Sequence, residues 1–134
     1  MATMLAEKFK NQTFKLEEDI GDYLKFASRL WEEDSDIQEE IANINDVFQI
    51  VLTDINVKLW IEIKEGKVDF DLNEHSNPTV TIIFKEKLLI DIIYDRINPK
   101  IEYMSGNINV RGNVSHAVIL NNLLRYVQGK LLGK

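Results

Sequence analysis

The run Asn98-Pro99-Lys100-Ile101-Glu102-Tyr103-Met104-Ser105-Gly106-Asn107-Ile108-Asn109-Val110-Arg111-Gly112-Asn113 decides how this chain is read. Proline disfavours helix in the residue before it, so Asn98-Pro99 opens a turn or a short helix. Ile108 and Val110 then alternate with Asn109 and Arg111, the two-residue period of a half-buried strand. Gly106 and Gly112 bracket that strand, where the backbone turns tightly or goes left-handed. Asn113 is positioned to cap a helix beginning Val-Ser-His-Ala. A short strand between two glycines thus feeds a long C-terminal helix.

That helix, Val114 to about Leu132, is apolar on more than one face, through Ala117, Val118, Ile119, Leu120, Leu123, Leu124, Val127 and Leu131. Such a helix needs cover on both sides. One side can pack on a sheet, and the other can face a partner subunit or a lipid chain. Upstream, Lys85 to Ile97 reads as helix, with Leu88, Leu89, Ile92, Ile93 and Ile97 in one broad stripe.

The middle of the chain alternates. Phe48, Ile50 and Leu52 form one set, Val57, Leu59, Ile61 and Ile63 a second, Val68, Phe70 and Leu72 a third. Lys58, Trp60, Glu62 and Lys64 fall on the opposite face, and Glu65-Gly66 marks a hairpin turn. This is the pattern of an antiparallel sheet with one dry face. Trp60 is out of place on the polar face and is expected under the N-terminal helix. That helix is marked by Leu16, Ile20, Tyr23, Leu24, Ala27, Leu30 and Trp31. Glu32-Glu33-Asp34-Ser35-Asp36 ends it, and Ser35 or Asp36 is placed to cap a second helix through Ile37, Ile41 and Ile44.

These pieces, in this order and spacing, resemble the sterol carrier protein-2 family of lipid-binding domains from about Ile44 to Leu124. Ile44 to Leu52 is similar to its first strand, and Trp60 to Val68 to its second strand, a turn and the start of the third. Pro78 to Phe84 is similar to its fourth strand, and Lys87 to Asn98 to the helix that follows and its Asn-Pro end. The family often carries a small residue or glycine where Tyr94-Asp95-Arg96 stands. The residues ahead of Ile41 exceed the minimal family domain. The expected fold is α/β: a five-stranded, mostly antiparallel sheet with helices over one face, plus an extra N-terminal helix. Residues 1–34 are expected as a helical extension and 35–134 as the sterol-carrier-like domain, one compact unit together.

Composition narrows function. The chain has 134 residues, no cysteine and a formal charge of −6. Without cysteine there is no disulfide and no thiolate nucleophile or ligand. The negative balance excludes nucleic acid as the main ligand and disfavours steady adsorption to anionic membranes. No apolar run approaches bilayer-spanning length, and the start Met-Ala-Thr-Met-Leu-Ala-Glu-Lys has no apolar core of a signal peptide, so a cytoplasmic location without stable membrane insertion is expected. The two histidines, His75 and His116, lack companions at metal-ligand spacing. His116 reads as a surface or capping residue. Asp91 alone interrupts an apolar run and reads as facing water, with a buried acid holding a lipid headgroup as the sharper alternative. No nucleophile elbow or phosphate loop is present. No catalytic residue, metal or cofactor is expected.

The resemblance implies a non-catalytic carrier that holds a fatty acyl, sterol or isoprenoid-like ligand in an apolar tunnel. Carried over by position, its lining draws on Phe84, Leu88, Leu89, Ile92, Ile93, Tyr103, Met104, Val118, Leu120, Leu123 and Leu124. Arg96, Arg111 and Arg125 are candidates for polar selection at the mouth. A scaffold or dimerisation module with a small or filled pocket is the alternative, and its sign would be a homodimer. An enzyme subunit is the third reading.

Overall fold

The computed structural model describes residues 2–133. Its elements are α1 (Ala2–Asn11), α2 (Leu16–Glu33), α3 (Gln38–Ala42), β1 (Asp46–Leu52), β2 (Val57–Lys64), β3 (Lys67–Asp71), β4 (Val80–Phe84), α4 (Glu86–Ile93), α5 (Pro99–Met104), β5 (Asn109–Gly112) and α6 (Val114–Leu131). The strands form one sheet in the order β3-β2-β1-β4-β5. Every neighbouring pair is antiparallel except β1 and β4, which run parallel. The five expected strands are all present. The Glu65-Gly66 turn has φ of 52° and 76°, the left-handed pair that a two-residue hairpin requires.

Alternation sorts the sheet into two faces. Phe48, Ile50 and Leu52 of β1 align with Ile61, Leu59 and Val57 of β2 and with Val80, Ile82 and Phe84 of β4. Apart from half-buried Val57, these side chains are buried in the core with the helices. α2 packs at the β3 side of this face, and α6 packs over β1, β4 and β5 and against α4. The opposite face carries Gln49, Trp60 and Thr81 in register. Trp60 is covered by the loop after β3 rather than by the N-terminal helix. Its Nε1 donates to Asn73 Oδ1 at 2.7 Å, and the His75 ring meets it edge-on at 4.9 Å. The His75 N–H donates to Gln49 Oε1 at 2.8 Å and pins the loop. The loop wins because an indole on the polar face needs an acceptor, which Asn73 supplies and an apolar helix face does not.

α1 was not expected from the sequence. Leu5 and Phe9 are its two deeply buried anchors, too few for a periodic signal. The Phe9 ring stacks on Tyr23 at 5.9 Å and meets Phe14 and Tyr94 edge-on at 5.4 and 5.1 Å. α1 and α2 therefore belong to the same buried cluster as the sheet and α6. α4 stops at Ile93, short of the expected Ile97. Asp95 takes φ of +58°, its N–H reaches the Ile92 carbonyl, and the Arg96 N–H reaches that of Asp91. These bonds satisfy the last carbonyls of the helix and turn the chain. The acidic run closes α2 differently from expectation too. Gln38 Nε2 reaches back to the carbonyls of Trp31, Glu32 and Asp34, and neither Ser35 nor Asp36 caps α3.

At the opening stretch of sequence, Asn98 Oδ1 accepts from the Lys100 N–H and Asn113 Oδ1 from the Ser115 N–H, capping α5 and α6. Gly112 has φ of +104°, and a Cβ there would lie 2.6 Å from the Thr79 carbonyl oxygen. Only glycine lets β5 run this close to β4 at that point.

Candidate functional site

The residues proposed from sequence divide into two groups. Phe84, Leu89, Ile92, Ile93, Leu120, Leu123 and Leu124 are buried between the sheet and the α4–α6 layer, with Leu88 at its half-buried margin. Their periodicity brings them together: β4 points Phe84 inward, α4 turns Leu89, Ile92 and Ile93 down, and α6 supplies the other side. Tyr103, Met104 and Val118 are 40%, 75% and 53% exposed and stand outside that layer, on α5 and the first turns of α6. Arg96, Arg111 and Arg125 are all exposed.

An open cleft of about 520 Å³ lies elsewhere, between the start of α2, the start of β2 and the end of β3. Leu16, Ile20, Val57 and Leu72 form its apolar part, and Glu17, Lys58 and Glu74 its charged part. Lys58 and Glu74 are paired at 3.3 Å. Its volume falls in the range of small-molecule sites. None of the lining residues expected from sequence belongs to it. The exposed Leu72 beside the start of α2 was the one available signal, and it reads in sequence as an ordinary strand residue.

The polar groups of the interior are committed to structure. Asp46 continues the inward register of β1 and is buried, and His116 Nδ1 lies 2.6 Å from its Oδ1. His116 is therefore a partner for a buried acid, beyond the capping position expected of it. Asp91 is buried rather than wet. Arg96 reaches it at 2.9 Å and Lys87 at 3.6 Å, because the turn after α4 folds Arg96 back over the helix. Those cations occupy the carboxylate that the headgroup alternative required. Asp19 is buried, accepts from the Lys15 N–H at 2.7 Å and pairs with Lys8 at 2.5 Å. Burial pushes its carboxyl up, but the Lys15 N–H and the Lys8 ammonium outweigh burial and hold it below the usual range. The Tyr23 hydroxyl and Trp31 Nε1 are buried with no partner among the described residues. Among the described residues no helix is long and apolar enough to cross a membrane.

A five-stranded mixed sheet with helices on one face, and Asn-Pro and Gly-bracketed β5 feeding α6, is the arrangement that the sequence resemblance implies. A model of the SCP-2 sterol transfer family matches residues 25–125, and the chain belongs to that family. Membership supports a lipid-binding or transfer role in general terms. Solved structures share the fold. The UbiJ-SCP2 ubiquinone synthesis protein is 14% identical at a TM-score of 0.64, covering 77% of this chain and 90% of its own. Sterol carrier protein 2 from Yarrowia lipolytica, in apo form, is 16% identical at 0.62, covering 78% and 88%. The sterol carrier protein domain 2 of Helicoverpa armigera is 24% identical at 0.60, covering 81% and 87%.

Proposed function

We propose that this protein is a non-catalytic carrier that holds one fatty acyl, sterol or isoprenoid-like molecule against the helix-covered face of the sheet. Phe84, Leu88, Leu89, Ile92, Ile93, Leu120, Leu123 and Leu124 form the chamber, and Tyr103, Met104 and Val118 form the entrance. The observation that carries this reading is the run of apolar side chains from exposed to buried along α5 and α6: Met104 and Val118 outside, Leu120, Leu123 and Leu124 within. Burying an acyl chain contributes roughly 0.8 kcal/mol per CH₂ and needs no fixed polar geometry. Residues 1–34 act as an added helical layer on the lipid-binding unit of residues 35–134. The partner is an apolar small molecule rather than nucleic acid, and the working compartment is the cytoplasm.

The second reading is a scaffold or dimerisation module. It is favoured by the tight filling of the chamber, where Leu89, Ile93 and Leu120 are at most 2% exposed. Native mass spectrometry of the purified protein, followed by organic extraction, separates the two. A stoichiometric acyl or sterol-like mass supports the carrier. An apo dimer that also refuses fluorescent fatty acid supports the scaffold. A photoactivatable fatty acid then locates the site. Crosslinks on α4 and α6 support the chamber, and crosslinks at Leu16, Ile20 or Leu72 move the ligand to the open cleft.

A further inference from the structure

The charge of −6 conceals an uneven distribution. Residues 1–95 hold ten lysines and arginines against twenty-one carboxylates, a net −11, whereas residues 96–134 hold six against one, a net +5. Glu102 is that one carboxylate, and it is bonded to Asn107 Nδ2 at 2.8 Å. Arg96, Arg125 and Lys130 spend their charge on Asp91, Asp95 and Asp34. Lys100 and Arg111 are exposed and have no ion-pair partner among the described residues.

The exposed apolar side chains concentrate in the same segment. Ile101, Tyr103, Met104, Val114 and Val118 all stand out of the surface between residues 101 and 118. Ile101 and Met104 lie three apart on α5, and Val114 and Val118 four apart on α6, so each pair forms one stripe. α5 leads into β5, and β5, the end strand of the sheet, leads into α6. Both stripes and both free cations therefore lie on or beside three consecutive elements, α5, β5 and α6, around the end strand of the sheet.

We propose that this α5–β5–α6 edge is a docking surface for an anionic lipid bilayer. Unpaired cations beside protruding apolar side chains suit the boundary between headgroups and acyl chains. The strongly acidic remainder is repelled by the same surface and turns the molecule edge-on. An anionic bilayer meets both requirements, attraction at the edge and repulsion elsewhere. The surface places Met104 and Val118 against the membrane, and for its purpose it rests on the carrier reading. Fatty-acid uptake in free solution tests the carrier, and vesicle binding tests the surface, so either can fail alone.

The test is flotation of the full chain with vesicles of phosphatidylcholine alone and of about three parts phosphatidylcholine to one of phosphatidylglycerol. Binding is expected to the anionic vesicles at about 0.1 M salt, and to fall at about 1 M, where screening shortens to about 3 Å. The pair Lys100→Glu and Arg111→Glu should lower binding by roughly tenfold or more. Met104→Ser with Val118→Ser should lower it without changing its salt dependence. Lys64→Glu with Lys67→Glu makes the same charge change at the opposite, β3 side and should leave binding unchanged. Failure of the unaltered protein to bind, or an equal loss in the Lys64/Lys67 pair, overturns the proposal. So does light scattering that shows Lys100→Glu and Arg111→Glu dissolving a dimer, which assigns the edge to a second copy. Capture of an acidic protein by this edge, with vesicles ignored, also overturns it.

Discussion

His116 Nδ1 stands 2.6 Å from Asp46 Oδ1, tying the first turn of α6 to the first residue of β1 across seventy positions of sequence. Asp46 is buried, so its carboxylate depends on this partner. His116→Ala is expected to destabilise the protein by about 1–3 kcal/mol, the range for leaving a buried acceptor without its partner. Adding Asp46→Ala should restore much of the loss. Urea unfolding of both single variants and the double variant measures the coupling, and simple additivity would remove the pair from the account.

Asp19 makes acid sensitivity an expected property of the α1–α2 corner. Its carboxyl is held low in the folded state, so it adds stability above its unfolded value of about 3.9. That stability is lost as pH falls through the folded value. Asp19→Asn should flatten the acid limb of stability against pH and weaken amide protection in α1, which Lys8 ties to Asp19. Identical acid limbs would show that the pair contributes nothing.

Gly112→Ala sets a Cβ against the Thr79 carbonyl oxygen at 2.6 Å in a left-handed backbone. The strain and the overpacking together predict a loss of about 2–4 kcal/mol. Gly106→Ala meets nothing within 4 Å, and its cost is limited to about the 1–2 kcal/mol of its positive φ. Thermal unfolding ranks the two, and a reversed order would contradict the close approach of β5 to β4.

Tyr23→Phe should stabilise the fold, by about 1 kcal/mol, despite deleting a polar group. The hydroxyl is buried without a partner, and the ring keeps its place beneath Phe9. A lower melting temperature in this variant would mean that an ordered water serves the hydroxyl.

Ligand uptake gives the fifth prediction. Leu120 is buried in the proposed chamber, and Leu120→Ala should cost about 2–4 kcal/mol of stability. It should also raise fluorescent fatty-acid uptake by enlarging the space. Met104→Trp, on an exposed position, should leave stability unchanged and reduce uptake. Unchanged uptake in both variants moves the ligand away from α4 and α6.

Much of the architecture was legible in the residues themselves. The alternations of Leu59, Ile61 and Ile63 and of Phe48, Ile50 and Leu52 carry their strands openly, because a half-buried strand must repeat every second residue. The Gly106–Gly112 bracket and Asn113 carry β5 and its exit. α1 was not legible: its anchors, Leu5 and Phe9, are too few for a period. The end of α4 at Ile93 was hidden because the left-handed residue there is Asp95 instead of glycine. Of the candidate site, the apolar identity of Leu89, Ile93 and Leu120 was legible. Their tight packing, and the exposure of Met104 and Val118, were not, since a chamber lining and a packed core demand the same side chains.

By itself the sequence determined which residues alternate, that Asn113 caps the last helix and that Gly112 must be glycine, because those requirements act over a few neighbouring residues. Tertiary structure alone decided the distant pairings, His116 with Asp46, Asn73 with Trp60 and Arg96 over Asp91, and which apolar side chains of α5 and α6 stay exposed. Burial and pairing arise between segments far apart in the chain, and no local pattern encodes which surface will end up facing which.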